Sequence, residues 1–170
     1  MPAPTVPGHP SATSAASYSR CNQYRYTLIR SWDSALPRLC VCMLNPSTAT
    51  EHRNDPTVRR AVGFAIQLGF GAIEVVNCFA LRATNPSHLY THPDPVGPQN
   101  DHAIKRAAQR AHTTIAAWGN HARLQHRHRR VRNLLPPETL CLGLTSQNQP
   151  KHPLYLPKSA KPRPLSSHAT

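Results

Sequence analysis

Three short stretches carry the side chains with the most chemistry in this 170-residue sequence. The first is Leu44-Asn45-Pro46-Ser47-Thr48-Ala49, where an apolar run ends in a carboxamide. The chain must break there, because Pro46 has no N–H and restricts Asn45 to extended geometry. A carboxamide held in that way can orient a water molecule or bind a substrate oxygen. Ser47 and Thr48 add hydroxyls and a turn of N–H groups suited to an anion. The plainer alternative is an Asx turn closing a loop. The second stretch is Lys151-His152-Pro153-Leu154-Tyr155. Pro153 fixes an extended approach for the imidazole, which can donate a hydrogen bond to charge developing on a substrate or simply pack against Tyr155. The third is Ile73-Glu74-Val75-Val76-Asn77, which ends in another carboxamide. A donor and an acceptor side by side can read the edge of a nucleobase. They can equally satisfy local backbone.

Weaker candidates surround these. Phe79 could stack on a base, although a core position suits it better. Asp55, in Asn54-Asp55-Pro56, is fully explained as a helix N-cap, and a catalytic role is the minority alternative. Arg82 could bind phosphate or join an ion pair. Arg123, Arg127 and Arg130 stand among Arg129, Arg132, His121, His126 and His128. With Lys151 they form a set of cations suited to phosphate contacts, which add affinity but little sequence information. A solvated helix face is the alternative.

Several chemistries are unsupported. No Cys-x-x-Cys or His-Glu-x-x-His pattern occurs, and His126 and His128 point to different faces of a helix, so no metal is expected. With 7 Gly in total there is no P-loop and no Gly-x-Gly-x-x-Gly, and Gly-x-Ser-x-Gly is missing too.

The elements that must position these residues follow from periodicity. Tyr24 to Arg30, Leu39 to Leu44, Ile73 to Asn77, Thr113 to Trp118 and Leu140 to Leu144 read as strands. The continuous apolar run Leu39 to Leu44 has the pattern of a buried parallel strand. Pro56 to Gly69 reads as a helix, with Asp55 as N-cap and Pro56 at N1. Asp101 to His112 and Ala122 to Leu135 read as two more. Strands separated by helices predict an α/β fold, a three-layer sandwich with a central mostly parallel sheet flanked by helices. The polar candidates then gather at the carboxyl ends of the strands, where such sheets bind ligands.

Composition sets the outer limits. Lys and Arg total 20 against 7 Asp and Glu, a formal net charge of +13, which predicts a polyanionic partner. A basic surface tuned for solubility is the alternative. Residues 1–19 are rich in Pro, Ala and Ser and read as a disordered leader, residues 20–157 as a single α/β catalytic domain, and residues 158–170 as a flexible basic tail. The apolar runs are too short to span a bilayer. No secretory signal is evident, and five scattered Cys predict a cytoplasmic protein without disulfides.

The span from Tyr24 to Leu156 resembles a bacterial and phage family known as a domain of unknown function. The resemblance rests on Tyr24-Arg25-Tyr26, Asn45-Pro46-Ser47-Thr48-Ala49, Asn54-Asp55-Pro56-Thr57, Arg82-Ala83-Thr84, Pro93-Asp94-Pro95-Val96-Gly97, Ala117-Trp118-Gly119 and His152-Pro153-Leu154-Tyr155. The layout is also similar to the uracil-DNA glycosylase superfamily. Asn45-Pro46 matches its water-activating motif, Asn77 its base-reading residue and His152-Pro153 the motif after its last strand. The chain departs from that pattern in having Leu44 and Ser47 where a flanking Gly is usual, and in continuing the last motif as Leu-Tyr.

The resemblance implies a monofunctional DNA glycosylase acting on a base flipped from the stack. In it His152 stabilises the departing base, Asn45 positions water with Asp55 nearby, and Asn77 selects the base. Ser47, Phe79 and Arg82 would contact the substrate. No lysine nucleophile is evident, so base excision without strand cleavage is expected. The Cys spacing does not match the iron–sulfur relatives, and no cofactor is expected. A modified base in phage DNA, removed in defence, is the favoured substrate; repair of uracil or a mismatch is the other. The partner is DNA and a monomer is expected. Two other functions remain open, a non-enzymatic nucleic-acid-binding module and a nucleoside or nucleotide hydrolase.

Overall fold

The structure is a computed structural model and describes residues 12–165. One seven-stranded sheet contains β1 (Thr13–Tyr18), β2 (Arg25–Ser31), β3 (Arg38–Met43), β4 (Ala72–Asn77), β5 (Thr113–Ala116), β6 (Leu140–Cys141) and β7 (Arg163–Pro164), in the order β1-β2-β4-β3-β5-β6-β7. β4, β3, β5 and β6 pair in parallel. The pairs β1–β2, β2–β4 and β6–β7 are antiparallel, so five of the seven strands run in one direction. The helices are α1 (Pro56–Gln67), α2 (His88–Thr91), α3 (Asn100–Arg110) and α4 (Arg127–Leu134).

The period-two alternation of β3 builds both sides of the core. Leu39, Val41 and Met43 pack with Val58, Val62 and Phe64 of α1. Cys40 and Cys42 face the other way, toward Ile104 and Ala107 of α3 and Val131 of α4. The expected layers of helix, sheet and helix are therefore present. α1 starts as expected: Asp55 accepts from the Val58 N–H at 2.8 Å with Pro56 at N1. Gly69, at φ +84°, follows its end. Glu74, 0% exposed on β4, is held by Arg38 at 3.2 Å and by Arg110.

Three sequence expectations need correction. The expected leader contains β1, whose Ser14 and Ser17 side chains bond to Ile29 O and Thr27 Oγ1. Its short, alternately exposed Ser and Ala residues carry little apolar signal because an edge strand buries so little. The expected loose tail contains β7, an edge strand that tolerates Pro164. The rest of both segments, residues 1–11 and 166–170, lies outside the described residues. Finally, the helix expected over Ala122 to Leu135 is broken. A 3-10 segment, Asn120–His126, meets α4 at a kink where Gln125 and His126 both have φ of +54°. No Pro or Gly marks that kink in the sequence.

All five cysteines are free, and all but Cys21 are buried. Burial pushes the Cys40 thiol well above its ordinary range. No helix among the described residues is long and apolar enough to cross a membrane.

Candidate functional site

The carboxyl ends of β3, β4 and β5 open into a cleft of about 720 Å³, a volume typical of small-molecule sites. Asn45, Asp55, Asn77 and His152 all line it. Residues 107 positions apart in the chain thus share one wall, because the loop after β3 and the segment after β6 both run over the same sheet edge.

Each side chain is fixed by identifiable bonds. Asn45 follows β3, and its Nδ2 donates to Pro46 O at 2.9 Å and Ala83 O at 2.7 Å. That leaves Oδ1 as its accepting group. Asp55 caps α1 with one carboxylate oxygen and takes the Ala49 N–H at 3.2 Å with the other. The loop between Asn45 and Asp55 is held from beneath by buried arginines of β2. Arg25 donates to Ala49 O at 2.7 Å, and Arg30 to Asn54 Oδ1 at 2.9 Å and to Arg53 O at 3.2 Å.

Asn77 ends β4 and is 1% exposed, yet its Oδ1 and Nδ2 both lack a hydrogen-bond partner among the described residues. A buried amide left in that state costs about 1–3 kcal/mol. Its main chain, by contrast, is firmly held: Asn100 donates to both the Asn77 and Cys78 carbonyls. The local-backbone alternative for this side chain is therefore not what forms.

His152 caps the 3-10 turn Pro153–Tyr155, and its Nδ1 accepts from the Leu154 N–H at 3.4 Å. A neutral ring accepting at Nδ1 carries its proton on Nε2, which is then the donor. Burial lowers the imidazole pKa below its ordinary value, with attraction to Asp55 opposing the shift. The ring also lies 5.7 Å from that of Tyr155, so the packing alternative and a place in the cleft hold together.

A family model described as a protein of unknown function, DUF1643, matches residues 25–154. The chain belongs to the DUF1643 family. No curated protein and no solved structure matches it. The span shared with DUF1643 begins at Arg25 and takes in every cleft residue named above except Tyr155.

Other expected site residues of this DUF1643 chain lie elsewhere. Ser47 and Lys151 do line the cleft. Phe79 is wholly buried in the core on the α3 side, away from the cleft, so it is a packing residue. Arg82 lies over the Tyr18 ring, 5.2 Å from its centroid, in a shallower depression that meets the cleft at Ser47 and Thr48. Arg127 is 5% exposed, pairs with Asp101 at 2.6 Å and donates to Cys78 O at 2.6 Å. It is a structural residue and not a surface phosphate contact, because the kink before α4 turns it inward. Arg130 is exposed but also bonded to Asp101. Arg123 donates to Gln147 and lines a basic pocket with Arg129, His126 and His128, next to the cleft at Asn120 and His121.

The residue that sequence reasoning missed is Arg25, buried in the cleft wall. Its signal was a charge between two tyrosines at the start of a strand. Trp118 was missed as well: it lines the cleft while its indole N–H donates to Gln149. Among the described residues no group of three or more His, Cys, Asp or Glu could hold a metal ion.

Proposed function

We propose that this chain is a monofunctional DNA glycosylase that hydrolyses the N-glycosidic bond of a flipped, modified base. One observation carries the reading: Asn77 is a buried carboxamide with both polar atoms unfilled, on the wall of a cleft it shares with Asn45 and His152. A flat donor–acceptor pair that the protein does not satisfy is suited to the edge of a planar base.

In this mechanism the base enters the cleft and pairs with Asn77. The C1′–N bond lengthens, the sugar gains oxocarbenium character and the base gains negative charge. The Nε2–H of neutral His152 stabilises that charge as a fixed donor. Asn45, tethered through Nδ2, accepts a hydrogen bond at Oδ1 from the water that attacks C1′. The carboxylate of Asp55 adds a negative field favouring the cationic sugar. The new bond is C1′–O, and the proton lost by water ends on the departing base. Placement supplies most of the acceleration.

The test is incubation of the purified protein with phage DNA carrying modified bases, and with oligonucleotides containing uracil, mismatches, or hydroxymethylated and glucosylated cytosine. Abasic sites are revealed by alkali cleavage. Asn45→Ala and His152→Ala are expected to lose at least about a hundredfold in rate while still binding DNA. Full activity in both variants refutes the assignment. Lys151 lines the same wall, so borohydride trapping is the control for strand cleavage through an amine; no trapped adduct is expected.

A further inference from the structure

The cleft contains a cation that the glycosylase steps leave unused. Arg25 is 2% exposed. Its Nη1 donates to Ala49 O, while its Nε is buried with no partner among the described residues. Asp55 attracts it, but the Asp55 oxygens accept the Ala49 and Val58 N–H groups, and Arg25 joins no ion pair among the described residues. Burying a guanidinium in that condition is costly unless an acceptor completes it. Holding the loop at Ala49 needs only one of its five N–H donors.

A β-bulge puts Arg25 there. The β1–β2 pairing passes from Ser17–Thr27 directly to Tyr18–Arg25, leaving Tyr26 as an extra residue. Tyr24 and Tyr26 consequently pack on the α3 side of the sheet, whereas Leu28 packs on the α1 side. The bulge turns Arg25 toward α1, the face that Asn77 shares with Val75 and Ile73. The two cleft side chains with unfilled polar atoms thus stand at neighbouring strand ends and line one cleft. An open guanidinium edge is matched best by the paired oxygens of a carboxylate or phosphate.

We propose that Arg25 binds an oxyanion of the substrate, either a carboxylate carried on the base or a phosphate of the same nucleotide. This rests on reading the cleft as a nucleotide site, but not on any bond being cleaved there.

The experiment is calorimetric titration of wild type, Arg25→Gln and Arg25→Lys. The probes are the four 2′-deoxynucleosides, their 5′-monophosphates, and 5-carboxy-2′-deoxyuridine and 5-carboxy-2′-deoxycytidine. Wild type is expected to bind an anionic probe about tenfold or more tighter than its neutral parent. Arg25→Gln loses that margin, and Arg25→Lys keeps part of it. A margin that follows the monophosphates identifies the phosphate source; one that follows the 5-carboxy compounds identifies the base. The proposal is overturned if no anionic probe outbinds its parent in wild type, or if a folded Arg25→Gln protein retains the margin. The wild-type comparison decides even if Arg25→Gln does not fold. A margin without any abasic product sinks the glycosylase reading alone, and abasic product without a margin sinks this one alone.

Discussion

Asn100 holds Asn77 from behind, donating from Nδ2 to the Asn77 carbonyl at 2.9 Å and to the Cys78 carbonyl at 3.1 Å. Asn100 is fully buried at the start of α3. Asn100→Ala strands the Asn77 carbonyl, while Cys78 keeps its bond from Arg127. The expected cost is about 1–3 kcal/mol, read from urea midpoints. The proposed base excision should fall further than that loss explains, because the strand end that carries the Asn77 carboxamide is no longer pinned. Unchanged stability would contradict this account.

The imidazoles set an acid limit on stability. Burial lowers the pKa of His152, and burial likewise lowers that of His128. Above about pH 6.5 both are neutral whether the chain is folded or unfolded. As pH falls below that value the unfolded chain takes up protons that the folded chain resists, so stability drops. Denaturation midpoints should therefore be lower at pH 5.5 than at pH 7.5. His152→Asn and His128→Asn should each flatten that dependence, and a slope unaltered in both would rule it out.

Arg123 and Arg127 separate affinity from stability. Arg123 is exposed and, among the described residues, bonded only to Gln147. Arg123→Ala should leave the melting temperature in place and lower the salt dependence of the proposed DNA binding by about one ion. Arg127 is buried against Asp101 and Cys78. Arg127→Ala should lower the melting temperature markedly, since it leaves Asp101 with Arg130 alone. The reverse pattern would return Arg127 to the surface.

Glu74 offers a double-mutant cycle. Its buried carboxylate meets Arg38 on one side and Arg110 on the other, and both partners are partly exposed. Either Arg→Ala change leaves one cation and should cost little, because solvent screens the exposed ends. Losing both leaves an uncompensated buried charge, which should cost about 3 kcal/mol, well beyond the sum of the singles. Additive losses in denaturant would show that Glu74 does not depend on the pair.

The parallel centre was legible because β3 and β4 are buried on both faces, β3 reading as an unbroken apolar run and β4 as one interrupted only by Glu74, and because Asp55-Pro56 is a local start signal for α1. Asn45, Asn77 and His152 were legible for a related reason: each ends or follows such a run, so the sheet carries them to one edge. The edges were not legible. β1 has too little apolar surface to print a pattern, and its place depends on bonds to β2. The kink at Gln125 and His126 has no Pro or Gly to announce it, and with it went the expectation for Arg127. Arg25 was hidden because the bulge at Tyr26 reverses the alternation from which its face would be deduced.

The burial of arginine has an electrical consequence. Arg25, Arg30 and Arg127 are withdrawn from the surface, and Arg38, Arg110 and Arg130 are matched by carboxylates. The formal +13 already subtracts those carboxylates, so their placement changes where the excess positive charge lies and not how large it is. Arg123 and Arg129 are exposed beside the cleft mouth and meet no carboxylate among the described residues, so a polyanion arriving there faces cations that nothing on the protein offsets locally.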